Sequence, residues 1–213
     1  MEKGGLATVQ ESIEQPGVLY KRLDFIWLAS VRTDRYTEQQ FYDEVGHHLG
    51  LLQNPAYDIA RFLPQTDLTW SPDARRNGAG YIVMDRVNGT PLSQVLDIDP
   101  LMAAQVDTLL AELVRLATDY SDDLNQPQFR VLPDVVNTEQ GGFMNLMIGT
   151  TETNPIAQPY LIDPYPAVAW TGLTSAEPLW RQALDQLQTQ SPGYSFDQTR
   201  AALDNFFYPR PDQ

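Results

Sequence analysis

The 213-residue chain contains no cysteine, and this absence excludes disulfide bonds and metal sites built from thiolates. The chain also lacks any apolar run close to the roughly 18–20 residues that a membrane-spanning helix requires. Its first residues do not show the charged and then apolar pattern of a secretory signal. These absences predict a cytoplasmic protein with no membrane partner.

Cationic side chains are scarce. Lys and Arg number 14 against 28 Asp and Glu, and the formal net charge is −14. Because non-specific nucleic-acid binding depends on Lys and Arg that displace counterions from phosphate, this charge argues against a nucleic-acid partner. An acidic protein can still bind a nucleotide where local cations or a metal ion overcome its field.

The apolar content is sufficient for a folded core, since hydrophobic residues make up 42% of the chain. Turns are predicted at Pro16-Gly17 and at Asn88-Gly-Thr-Pro91, and a loop at 72–80. The order of elements indicates an α+β fold, with a β-rich lobe carrying one helix over 1–87 and a mainly helical lobe over 88–213. Apolar spacing predicts helices at 37–52, 100–119, 178–188 and 197–207, and β-rich runs predict strands at 7–9, 18–20, 61–63, 81–84 and 129–132.

Two polar residues flank short apolar runs late in the chain. Asn145 precedes Leu146-Met-Ile148, and Asp163 follows Tyr160-Leu-Ile162. The polar segment 150–159 is predicted to join the two runs as a hairpin, which would bring an amide oxygen and a carboxylate to neighbouring positions. Such a pair suits a Mg²⁺ ion that carries phosphate. An Asp at a strand end is also a common turn-former, so a purely structural Asp163 stays open.

Three further motifs precede this pair. They are Gly4-Gly-Leu-Ala-Thr-Val9, Gly17-Val-Leu-Tyr-Lys21 and Tyr81-Ile-Val-Met-Asp-Arg-Val87. Followed by Asn145-Leu-Met-Ile and Leu161-Ile-Asp163, they resemble in order the motifs of the protein-kinase-like and aminoglycoside-phosphotransferase-like superfamily. The resemblance covers most of the chain up to about residue 170 and indicates a reduced, divergent member. It implies a two-lobed kinase-like fold with a small N-terminal β-rich lobe and a reduced helical C-terminal lobe.

The resemblance also implies a nucleotide site for ATP and Mg²⁺. Gly4 and Gly5 would let backbone N–H groups approach the phosphates. Lys21 would hold the α- and β-phosphates, with Glu44 on the following helix as its ion-pair partner.

The adenine and the metal would be held by later motifs of the same family pattern. Met84 would lie at the deep end of the adenine pocket, and the backbone from Asp85 to Val87 would offer hydrogen bonds to the base. Asn145 and Asp163 would bind the metal ion.

The chain departs from the family pattern at the catalytic base. The family carries an Asp five residues before the metal-binding Asn, where this chain has Gln140. Asp134 would take the role if residues 137–142 bulge out as an insertion, although an Asp after Pro is equally typical of a turn or a helix cap. No Ala-Pro-Glu follows Asp163, so the substrate-binding half of a protein kinase is missing.

Two functions are therefore open. The first is an ATP–Mg²⁺-dependent phosphotransferase acting on a hydroxyl, more readily of a small molecule than of a protein. The second is a catalytically inactive kinase-like module that binds or regulates a protein partner. An unrelated α+β protein is a third possibility.

Lys21 itself yields a structural prediction. An unpaired ammonium on a mostly apolar strand is costly to bury. We therefore expect Lys21 to face the cleft between the lobes and to pair with Glu44 or Asp163.

Other polar clusters indicate no competing chemistry. His47 and His48 are adjacent, so on a helix their side chains diverge by about 100° and do not share a metal. No Gly-x-Ser-x-Gly motif exposes a nucleophilic serine.

Overall fold

The computed structural model describes residues 2–3, 7–23, 43, 46–47, 49–71, 79–123, 135–136, 142–163 and 173–209. Its first layer is a five-stranded antiparallel sheet of order β1-β2-β3-β5-β4. The strands are β1 (Glu2–Lys3), β2 (Ala7–Glu11), β3 (Val18–Leu23), β4 (Thr66–Ser71) and β5 (Ala79–Asp85). The predicted strands at 7–9, 18–20 and 81–84 are confirmed within β2, β3 and β5.

The turn between β2 and β3 is also confirmed. Gly17 has a φ of 91°, a conformation that glycine adopts without the steric cost that other residues incur. The loop predicted at 72–80 is wrong at its end, because Ala79 and Gly80 already belong to β5. The rest of that loop, 72–78, and the predicted strand at 129–132 lie outside the described residues.

A second, three-stranded antiparallel sheet consists of β6 (Asn88–Pro91), β7 (Leu146–Thr150) and β8 (Gln158–Leu161), in the order β6-β7-β8. The hairpin predicted around segment 150–159 is confirmed as β7–β8. The turn predicted at Asn88–Pro91 is wrong, because this segment is the edge strand β6. Gly89 pairs with Gly149, and a Cβ atom on Gly89 would lie 2.1 Å from the Ile148 carbonyl oxygen. Gly89 and Gly149 therefore allow β6 and β7 to approach closely and do not form a turn. Pro91 is tolerated because β6 is an edge strand.

The segment before β4 is helical where the sequence predicts a strand. Residues 60–62 form a 3-10 helix, Ala60–Phe62, so the strand predicted at 61–63 is wrong. Phe62 and its neighbour Leu63 are both buried, whereas alternate residues of a strand point to opposite faces. The helix predicted at 37–52 is helical at its described positions, 43, 46–47 and 49–52.

Later in the chain, three longer helices lie among the described residues: α1 (Pro100–Asp123), α2 (Leu173–Gln190) and α3 (Asp197–Phe207). Their prediction is confirmed, with α1 and α2 longer than expected. Asp99 caps α1, since its Oδ1 accepts hydrogen bonds from Leu101 N at 2.9 Å and Met102 N at 3.0 Å. The buried apolar face of α1 forms the centre of the core and consists of Ala103, Val106, Leu109, Leu110, Leu113, Val114, Leu116 and Ala117.

The core extends from α1 to the second sheet. Leu146 and Leu161, on the β7–β8 hairpin, belong to the same apolar cluster as α1, α2 and α3. The architecture is therefore α+β, with a small antiparallel sheet beside a helical part that carries the hairpin. Within the described part of the chain, no helix is long and apolar enough to cross a membrane.

Candidate functional site

The candidate site lies where the five-stranded sheet meets the end of the β7–β8 hairpin. Lys21 Nζ, from β3, lies 2.6 Å from Asp163 Oδ2, two residues beyond β8. The side chains of Lys21 and Asp163 are only 13% and 25% exposed. Of the two partners predicted for Lys21, Glu44 and Asp163, the structure shows Asp163, and the pair connects two parts of the chain that are distant in sequence.

The strand register explains why Lys21 needs this partner. Lys21 lies opposite Ile82 of β5, and side chains directly opposite each other project from the same face of a sheet. Ile82 is fully buried, so the Lys21 side chain extends from an apolar face of the sheet. The Asp163 carboxylate compensates the charge of its ammonium group. Lys21 is one of only two lysines in the chain, whereas six other salt bridges of the described residues use arginine.

Asn145 stands next to this pair on the neighbouring chain segment. Its carbonyl oxygen accepts a hydrogen bond from Ile162 N at 2.9 Å, immediately before Asp163. Asn145 has a φ of 59°, in the left-handed region that asparagine tolerates better than most residues. The predicted closeness of Asn145 and Asp163 thus holds for the backbone.

Met84, Asp85 and Val87 lie at the end of β5 and just after it. Met84 is buried and lies opposite Leu19 on β3 and Thr66 on β4. Asp85 N donates a hydrogen bond to Gln65 O at 2.9 Å, so this N–H is already engaged. Val87, which is also buried, follows.

The remaining predicted site residues are Gly4, Gly5, Glu44 and Asp134, and all four lie outside the described residues. The structure thus brings together Lys21 and Asp163, with Asn145 alongside, and it describes Met84, Asp85 and Val87 on β5 and just after it.

Sequence reasoning missed one contact near the site. Thr153 Oγ1, at the tip of the β7–β8 hairpin, donates a hydrogen bond to Asp85 Oδ2 at 2.5 Å. The sequence predicts only that the polar segment 150–159 links two strands. The run of threonines at 150, 151 and 153 is a signal for side-chain hydrogen bonding, but it does not identify the partner.

The chemistry available here is that of a cation and oxygen ligands held side by side. An ammonium group can contact phosphate, and carboxylate and amide oxygens are the ligands that Mg²⁺ prefers. Asp163 and Asn145 carry oxygen ligands of the type that Mg²⁺ takes, and their backbones are adjacent. No cluster of three or more His, Asp or Glu residues that could hold a metal occurs among the residues described, so a metal here would depend on few protein ligands and on a phosphate.

Comparisons with known proteins do not assign the chain to a family. No model of a known protein family matches the sequence, and a search of curated proteins finds no significant similarity. The function of the protein is therefore inferred from its residues and their geometry.

Proposed function

We propose that this protein is a divergent kinase-like phosphotransferase that uses ATP and Mg²⁺ to phosphorylate a hydroxyl group, more readily of a small molecule than of a protein. The observation that carries the proposal is the ion pair between Lys21 and Asp163. In the kinase-like pattern, the strand lysine holds phosphates and the late Asp holds the metal, so the two must lie within reach of one another.

The order of the surrounding elements supports the same function. The strand with Lys21 is followed by helical residues up to position 52, then by β4 and β5, by α1, and by the β7–β8 hairpin between Asn145 and Asp163. A two-lobed kinase-like fold places these elements in this order. Phosphoryl transfer depends mainly on positioning and charge neutralisation, and a cation beside two oxygen ligands supplies both. Asp134 is the candidate base that would accept the proton of the hydroxyl.

One observation favours a second candidate, an inactive kinase-like binding module. Lys21 and Asp163 satisfy each other's charge, and Arg86 N and Asp85 N donate hydrogen bonds to Gly17 O and Gln65 O. A static ion pair would join the sheet to the hairpin in the same way, and the N–H groups of Asp85 and Arg86 are already bonded to neighbouring segments of the protein rather than open to adenine. The two candidates differ in turnover, because only the enzyme transfers the γ-phosphate.

A thermal unfolding experiment with millimolar ATP and Mg²⁺ tests nucleotide binding. A ligand at 100 times its Kd stabilises the folded state by about 2.7 kcal/mol, so we expect a clear rise in Tm over Mg²⁺ alone. The absence of any shift would contradict both the enzyme and a nucleotide-binding module.

Release of γ-phosphate then separates the two candidates. We expect turnover that is lost in Asp163→Asn and kept in Asp67→Asn, which alters an exposed Asp on β4. Nucleotide binding without turnover in the native protein would favour the inactive module.

A further inference from the structure

The tip of the β7–β8 hairpin, residues 151–154, is a closed loop that docks on the five-stranded sheet. Thr151 N donates to Asn154 O at 2.9 Å, and Asn154 N donates to Thr151 Oγ1 at 3.0 Å. The hydroxyl groups of Thr151 and Thr153 lie 3.1 Å apart. Thr153 Oγ1 then donates to Asp85 Oδ2. This hydrogen bond fixes the loop to the end of β5.

A second contact joins the same loop to the turn between β2 and β3. The carboxylate of Glu152 lies against Gly17, where a Cβ atom would be 2.5 Å from Glu152 Oε1. Gly17 in turn accepts a hydrogen bond from Arg86 N at 2.6 Å. The hairpin tip thus contacts β5 and the start of β3 together, and these are the strands that carry Asp85 and Lys21.

The β7–β8 hairpin is therefore attached to the sheet at both ends. Its tip is held through Thr153, and its base is held by the ion pair between Asp163 and Lys21. Gly17, in the turn just before β3, and Lys21, on β3, are separated by about 13 Å at the usual rise per residue of a strand. Pairing with β6 stiffens the hairpin, so a change at its tip is transmitted to its base.

We propose that Thr153 is a positioning residue for the Lys21–Asp163 site, acting through Asp85. This inference rests on the proposed nucleotide function, because it assigns Thr153 the task of holding Asp163 at the distance from Lys21 that a phosphate and its metal require. Small displacements of catalytic groups lower reaction rates strongly. The hydrogen bond of Thr153 at the hairpin tip therefore affects phosphate and metal binding by Lys21 and Asp163 at the other end of the hairpin.

The test uses two substitutions of the same residue. Thr153→Val keeps the shape of the side chain and removes the hydroxyl, whereas Thr153→Ser keeps the hydroxyl. A matched control is Thr118→Val on α1, where the hydroxyl bonds only to Val114 O of its own helix at 3.0 Å. We expect Thr153→Val to weaken binding of Mg²⁺–ATP about three- to tenfold, the value of one hydrogen bond. Thr153→Ser and Thr118→Val should bind as the native protein does.

Amide hydrogen exchange supplies a readout that does not require nucleotide. Ile162 N, bonded to Asn145 O beside Asp163, should exchange faster in Thr153→Val and at the native rate in Thr153→Ser. Faster exchange restricted to Thr151 and Asn154 would overturn the positioning role. Failure of the native protein to bind Mg²⁺–ATP would count against the proposed function alone. The exchange rate of Ile162 N would still decide whether the hairpin tip positions the end of the hairpin beside Asp163.

Discussion

At the scale of single residues, the buried carboxylate of Asp107 joins α1 to the start of α3. Its Oδ1 accepts hydrogen bonds from Thr199 N at 2.9 Å and Thr199 Oγ1 at 2.6 Å, and its Oδ2 accepts from Gln198 N at 3.3 Å and Tyr194 OH at 3.1 Å. The residue before α3, Phe196, has no side-chain cap of its own. Asp107 therefore acts as the missing cap from another helix, at the end where a helix dipole stabilises negative charge.

Replacing Asp107 with Asn should destabilise the protein by about 2 kcal/mol, because the charge is lost and an amide N–H₂ faces hydrogen-bond donors. Urea unfolding measures the change. Asp97→Asn, in an exposed loop, is the matched control and should stay within about 0.5 kcal/mol of the native protein. An unchanged unfolding midpoint for Asp107→Asn would show that the carboxylate does not stabilise α3.

Tyr194, which donates a hydrogen bond to Asp107, makes the stability of the folded protein depend on pH. Burial and then the charge of Asp107 raise the pKa of the Tyr194 hydroxyl above its ordinary value. Because the folded state holds this proton more tightly than the unfolded state, the contribution of Tyr194 is complete below the ordinary tyrosine pKa of about 10 and decreases as the pH rises above it. Tyr194→Phe should therefore lose less stability than the native protein between pH 9 and pH 11. If the free energy of unfolding falls equally with pH in the native protein and in Tyr194→Phe, the raised pKa of Tyr194 is contradicted.

At the scale of elements, the long periodic pattern of α1 predicted its helix, whereas two short segments, 61–63 and 88–91, were predicted wrongly. The apolar spacing of α1 extends over many turns, so the sequence alone identifies the buried face of this helix, without knowledge of the elements that pack against it. Arg61–Leu63 and Asn88–Pro91 are three and four residues long, and their conformation depends on neighbours. Phe62 is drawn into the core as part of a 3-10 helix, and Gly89 pairs with a glycine from the distant strand β7.

The apolar face of α1 can be tested with two leucines of one helix. Leu113 is fully buried, whereas Leu101 is 73% exposed. Leu113→Ala should lower the free energy of unfolding by about 3 kcal/mol through lost burial and a residual cavity, and Leu101→Ala should change it by no more than about 0.5 kcal/mol. Similar losses for both variants, measured by urea unfolding, would show that the core does not centre on this face.

At the scale of the whole molecule, the ion pair between Lys21 and Asp163 connects the five-stranded sheet with the hairpin of the helical part. The sequence predicted that Lys21 pairs with Glu44 or Asp163, because a lysine on an apolar strand requires a carboxylate and the family resemblance supplied these two candidates. The docking of Thr153 on Asp85 could not be predicted, because it depends on the relative placement of the hairpin tip and β5. Hydrogen bonds between distant polar loops leave no periodic pattern in a sequence.

The measurement that tests the account most directly is a calorimetric titration of Mg²⁺–ATP into the native protein and into Lys21→Met. We predict binding by the native protein and an affinity lower by about tenfold or more in Lys21→Met, since a charge-assisted contact to phosphate is lost. The fold should stay intact, and Arg61→Met, an exposed cation of another segment, should bind normally. Equal affinity in Lys21→Met together with a clear loss of stability would contradict the account and identify Lys21 as a purely structural partner of Asp163.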